Sequence, residues 1–103
     1  MMATIQGADV HKVVVACEAG MGSSVLLVSQ LRQRLKGTGV EVLHSPVRGI
    51  PADVDVIVCH HGLEATARSV APDKVVIPFA MFLGDPAFDR VVNAIKEGGS
   101  LEG

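Results

Sequence analysis

The stretch VVVACEAGMGSSVLLV, Val13–Val28, decides how the chain is read. Apolar residues run into a cysteine, Cys17. A short Gly-rich turn and two serines follow, and then a second apolar run begins. A β-branched apolar run without alternation has the pattern of a strand buried on both faces, so Val10–Ala16 is expected to be a central strand. Cys17–Gly22 is then a loop and Ser23–Lys36 a helix. In that helix Val25, Leu26, Val28, Leu31 and Leu35 form the apolar stripe, and Gln30, Arg32, Gln33, Arg34 and Lys36 face water. Lys36 suits the carboxyl end of the helix dipole, and Gly37-Thr38-Gly39 stops the helix.

The same punctuation repeats along the chain. Val40–His44 and Val54–Cys59 have strand patterns, separated by the Pro- and Gly-bearing loop Ser45–Asp53 with one helical turn at Val47–Gly49. A short helix at Gly62–Ala71 ends before Pro72, Val75–Pro78 is a fourth strand, and Pro86–Lys96 is a last helix with Phe88, Val91, Val92 and Ile95 inward. Strands alternating with helices specify an α/β fold with right-handed crossovers. The expected architecture is three-layered, a four-stranded parallel sheet in the order 2-1-3-4 with flanking helices, flavodoxin-like or low-molecular-weight-phosphatase-like. Residues 10–97 form the single expected domain. Residues 1–9 and 98–103 are expected to be flexible ends, with Leu101-Glu102 a candidate vector remnant left out of functional reasoning.

Composition narrows the functions. The chain has 103 residues, a formal net charge of −2, 49% hydrophobic residues, and no Tyr or Trp. Neither a basic face nor aromatic stacking platforms are available for nucleic acid. No apolar run approaches the ~20 residues of a membrane span, so direct membrane insertion is not expected. MMATIQGADVHK lacks the regions of a signal peptide, which makes a cytoplasmic location the expectation and leaves Cys17 and Cys59 as reduced thiols. Without a CxxC pair or a nearby ligand cluster, neither a metal nor another cofactor is expected.

In a parallel α/β sheet the site lies beyond the carboxyl ends of the strands, at the switch point. Cys17 falls there, as do His60 and His61 after the third strand and Met81–Asp85 after the fourth. Gly20 and Gly22 allow the backbone to approach an anion closely, and the amides of Glu18, Ala19, Gly20, Met21 and Gly22 can turn inward as a nest. Ser23 and Ser24 add hydroxyls at a helix N-terminus, which itself favours negative charge. The same field favours a thiolate at Cys17, and a thiolate beside a phosphate cradle can accept a phosphoryl group. Glu18 opposes that charge and is expected to point outward, contributing its backbone amide. The competing reading is an ordinary buried cysteine before a βα turn. Gly-x-Gly with Ser-Ser favours the cradle. No Lys follows the glycines, so this is not a Walker loop, and the third glycine of a dinucleotide fingerprint is missing.

On these residues the chain resembles the enzyme IIB components of the bacterial phosphoenolpyruvate-dependent sugar phosphotransferase system. The mannitol-type IIB domain, whose loop reads much like ACEAGMGSS, is the closest resemblance. IPADVDVIVCHHGL, Ile50–Leu63, and Phe82-Leu83 extend the likeness from about Lys12 to Ile95. The resemblance implies that Cys17 takes a phosphoryl group from a phosphohistidine of a IIA component and passes it to a sugar or polyol held by the membrane IIC component. It also implies a cradle at Glu18–Ser24. The family segment Thr-His-Arg-Asp-Leu reads Cys59-His60-His61-Gly62-Leu63 here, so an arginine has become His61. His61 and Arg48 are the candidates to replace its charge. Met21, Val25 and Leu26 are the candidate partner interface, a monomer is expected, and the sugar is not specified.

The remaining histidines, His11 and His44, are read as surface or strand-edge residues, His60 is given no site role, and Cys59 is read as a small buried hydrophobe. Two rival functions remain. A low-molecular-weight phosphatase or arsenate reductase uses a thiol in a similar loop, and Asp85-Pro86 sits where the phosphatase acid would be. The phosphatases, however, place an Arg six residues after the Cys, where this chain has Ser23. The other rival is a regulatory module that binds a partner in a phosphorylation-dependent way.

Overall fold

The computed structural model describes residues 4–17, 23–80 and 86–102, the first two residues of the helix beginning at Ser23 by backbone alone. In chain order the strands are β1 (Thr4–Gln6), β2 (Lys12–Cys17), β3 (Glu41–Pro46), β4 (Val56–His60), β5 (Val75–Phe79) and β6 (Ser100–Glu102). The α-helices are α1 (Ser23–Arg34), α2 (Glu64–Val70) and α3 (Pro86–Glu97), and short 3-10 turns occupy Gly7–Asp9, Val47–Gly49 and His61–Leu63.

β2, β3, β4 and β5 form a parallel sheet in the order β3-β2-β4-β5, which is the order expected from the sequence. β2 and β4 are interior and almost continuously buried, whereas β3 is an edge strand in which buried and exposed residues alternate. Arg32 of α1 covers that edge, donating from Nε (3.0 Å) and Nη2 (2.8 Å) to the Val42 carbonyl.

The two faces of the sheet bury two separate cores. Val13, Val15, Val42, Val56, Val58, Val75, Ile77 and Phe79 pack against α1 and α3. Val14, Ala16, Ile57, Cys59 and Val76 pack on the other face with Ala67 of α2. In α1 the buried side is Leu27, Val28 and Leu31, continued by Leu35 just past the helix end, while Val25 (60% exposed) and Leu26 (53% exposed) face outward. This corrects the expected stripe. Four consecutive apolar residues, 25–28, leave the helix face ambiguous locally, and the i, i+4, i+8 relation of Leu27, Leu31 and Leu35 decides it. The helix also stops two residues early, at Arg34, and the chain turns through Gly37 and Gly39, both with positive φ (88° and 79°).

β2 starts at a carboxylate. Asp55 Oδ2 accepts the backbone N–H groups of His11 (2.7 Å) and Lys12 (2.9 Å). Lys12 also bonds the Asp53 carboxylate, which holds that carboxyl below its ordinary range and the ammonium above its own. These charges gather at the amino end of β2, and Cys17 lies at the carboxyl end.

The chain ends, expected to be flexible, carry the antiparallel pair β1–β6, with Ile5 opposite Leu101. Leu101 is 2% exposed and belongs to the core on the α3 side, so the Leu-Glu set aside as a candidate remnant supplies a packed side chain. Gly7 lets this pair dock. Its N–H bonds the Gly99 carbonyl, and a Cβ at Gly7 would lie 1.7 Å from the Ala94 carbonyl oxygen. Gly7→Ala should therefore cost about 1–3 kcal/mol. The check is a urea melt with amide exchange. Faster exchange at Leu101 and unchanged exchange in β2 and β4 is the expected pattern.

Candidate functional site

Cys17 is the last residue of β2, one position further into the strand than the sequence reading placed it. The extra length comes from β3, which continues to Pro46 and pairs Cys17↔Pro46 and Ala16↔Ser45. The thiol is 5% exposed. Pleating aligns Cys17 with Val13 and Val15, so its side chain stands on the α1/α3 face.

By the same alternation His44 of β3, His60 of β4 and Phe79 of β5 share that face at the carboxyl ends of their strands. His44 Nε2 lies 3.0 Å from Cys17 Sγ, and the Ser45 carbonyl oxygen lies 3.9 Å from the sulfur. The sequence alone suggests a surface or strand-edge position for His44. The signal that could have found it is parity: in Val42-Leu43-His44 the imidazole follows the core-facing Val42 by two positions, on the strand beside the cysteine.

His60 accepts the Gly62 N–H at Nδ1 (3.2 Å) and sets its ring edge-on to Phe79, with centroids 5.8 Å apart and planes at 86°. It therefore shapes the start of the 3-10 turn and sits on the face of Cys17. His61, the residue favoured from sequence, lies exposed in that turn, its ring 4.3 Å from that of His60. Arg48 is exposed in the turn after β3 and lines an open groove with Thr66 and Ser69 of α2. Since α2 covers the face opposite Cys17, the structure does not bring Arg48 to the thiol. Glu18, Ala19, Gly20, Met21 and Gly22 lie outside the described residues, as do Phe82, Leu83 and Asp85, so the expected cradle is placed only through its flanks. Those flanks are the end of β2 and the first turn of α1, where the backbone of Ser23 and Ser24 is helical.

Cys59 is a different thiol. It is fully buried on the α2 face, opposite Ala16, so alternation keeps the two free cysteines on opposite sides of the sheet. Burial pushes its pKa up to about 11. The Glu64 carboxylate adds to the rise and Arg68, which bonds Glu64 at 2.9 and 2.7 Å, opposes it. Because the folded thiol ionises later than the unfolded one, its contribution to stability is present below pH 9.0 and is lost as pH rises towards about 11. Cys59→Ala should weaken this alkaline loss, which pH-dependent urea melts would measure.

Among the described residues no group of three His, Cys, Asp or Glu side chains is arranged to hold a metal ion, and no helix is long and apolar enough to cross a membrane.

A parallel α/β domain with a thiol at the end of a central strand, followed by a helix N-terminus, is an arrangement in which a strand-to-helix loop can hold an anion. A family model described as "PTS system, Lactose/Cellobiose specific IIB subunit" matches residues 12–94, and the chain belongs to this IIB family. It is 38% identical over 93 residues to a PTS system mannitol-specific EIICB component of Halalkalibacterium halodurans, covering 88% of this chain and 20% of the relative. It is 36% identical over 88 residues to the mannitol-specific cryptic EIICB component of Escherichia coli K12, covering 84% and 19%. Against the mannitol-specific EIICBA component of Vibrio cholerae the identity is 34% over 93 residues, covering 88% and 14%. The chain thus spans a fifth or less of the length of these relatives.

Proposed function

We propose that this chain is a phosphoryl carrier in sugar uptake. Cys17 accepts a phosphoryl group from a phosphohistidine on a IIA component and delivers it to a sugar or polyol bound to a IIC component, with mannitol the first candidate. One observation carries the proposal. In a member of the IIB family, the thiol of the central strand β2 ends at the sheet's carboxyl edge, beside an imidazole and ahead of the α1 N-terminus. The mannitol-specific names of the relatives support the substrate class, and their EIICB and EIICBA designations support IIC and IIA as partners.

The reaction is an in-line displacement, with the Cys17 sulfur attacking phosphorus opposite the donor nitrogen. The amides of Glu18–Gly22, the hydroxyls of Ser23 and Ser24 and the α1 N-terminus are assigned to the phosphoryl oxygens, where preorganised donors lower the barrier. Met21 together with the exposed Val25 and Leu26 offers the apolar contact for the partner that brings the phosphate. Sugar selection and the base for the sugar hydroxyl belong to IIC.

The test combines phosphoenolpyruvate, the two general phosphotransferase proteins, a mannitol-type IIA and this chain. The intact mass should rise by one phosphate. No gain with several IIA types contradicts the proposal, and turnover of p-nitrophenyl phosphate points to the phosphatase instead.

A further inference from the structure

We propose that His44 is a catalytic residue of phosphoryl acceptance, the base that takes the Cys17 proton as the sulfur attacks; this rests on the carrier reading above. Its Nε2 lies 3.0 Å from Sγ, hydrogen-bond distance for a sulfur, so in the tautomer with Nε2 unprotonated the thiol can donate to it. The sulfur's other neighbour on β3, the Ser45 carbonyl at 3.9 Å, can accept a hydrogen bond but cannot carry the proton away. An imidazole can, and its ordinary titration range lies near neutrality.

The geometry is held by the sheet. Register pairs Val15↔His44 and Cys17↔Pro46, so the imidazole reaches the thiol from an edge strand whose pairing with β2 runs on before and after residue 44. Cys17 is buried and His44 exposed, so the acceptor can carry positive charge at low desolvation cost while the nucleophile stays sheltered. β2 and α1 pack against β3. Besides Cys17, they bring Lys12, which is bound to Asp53 and Glu41 at the far end of β2; Arg32, which is bound to the Val42 carbonyl; and Arg34, which is bound to Asp89. On β3 itself Glu41 faces Lys12. Each of these charges is bonded away from the imidazole.

The step balances. The S–H bond breaks and its proton passes to His44 Nε2. The S–P bond forms as the donor's N–P bond breaks, with that electron pair staying on the donor nitrogen. The resulting imidazolium faces the sulfur through the life of the phosphocysteine, and it stabilises the thiolate that leaves when the phosphoryl group moves on.

The experiment compares the full chain with its His44→Gln variant in two measurements. One is thiolate absorbance against pH, read as the difference from Cys17→Ser. The other is the single-turnover rate of phosphoryl acceptance from phospho-IIA across the same pH range. The variant should hold less thiolate near neutral pH and accept phosphate about 10²-fold more slowly there, and its rate should converge on the wild type as pH rises and the thiol ionises unaided. A purely structural role would slow the variant equally at every pH. Unchanged titration and rates within twofold, on a wild type that accepts phosphate, overturn the role of His44 and leave the carrier reading standing. A wild type that accepts no phosphate overturns the carrier reading and this role with it. His44→Asn replaces the Gln variant if the latter does not melt like the wild type.

Discussion

Cys17→Ser should fold normally and lose phosphoryl transfer by about a thousandfold or more. The side chain is nearly isosteric, and a hydroxyl in its place can still bond His44, so the melting temperature should move by no more than a few degrees. The chemistry does not survive the exchange. Sulfur is the stronger nucleophile, and a thiol gives up its proton to a neighbouring base far more readily than a hydroxyl does. The readout is phosphorylated polyol formed in a reconstituted system with IIA and IIC. A Ser variant that kept a tenth of the wild-type rate would show that Cys17 is not the carrier.

The second large effect is on stability. Ile57→Ala should cost about 2–5 kcal/mol. Ile57 is fully buried on β4, with Val14 on one side and Val76 on the other, in the smaller core under α2. A cavity there is walled by two strands that cannot relax without breaking the ladder. Set against a total of about 5–15 kcal/mol for a small domain, this is a large fraction. Val70→Ala on the exposed side of α2 is the control and should stay within about 0.5 kcal/mol. Urea midpoints measured with unchanged slope decide between the two. A Val70 effect as large as that of Ile57 would contradict the two-core description.

Much of the fold was readable locally because the signals are local. The apolar runs of β2, β4 and β5 need both faces covered, and the α/β alternation then leaves few strand orders. What escaped was non-local or ambiguous. β1 and β6 have three residues each and pair from opposite ends of the chain, so neither carries a periodic signal, and the burial of Leu101 depends wholly on that pairing. In α1 the apolar block 25–28 offers two faces, and tertiary packing selected Leu27 over Val25 and Leu26. At the candidate site, the glycines and serines that follow Cys17 single it out in the sequence. The contact of His44 with it was not legible, since it depends on a parallel register that brings residue 44 beside residue 17. Arg48 shows the converse. Its charge made it a candidate, but the turn after β3 directs it to the α2 side. Comparison with a family motif points to His61, while His60 is the residue that shares the thiol's face.

The central claim is that sulfur, and not one of the nearby imidazoles, carries the phosphoryl group. Phosphorus NMR of the phosphorylated chain separates these directly, because S-phosphoryl and N-phosphoryl groups resonate in different ranges. A single S-phosphoryl resonance, absent in Cys17→Ser and retained in His60→Gln, is the expected result. An N-phosphoryl resonance that persists in Cys17→Ser would contradict the account.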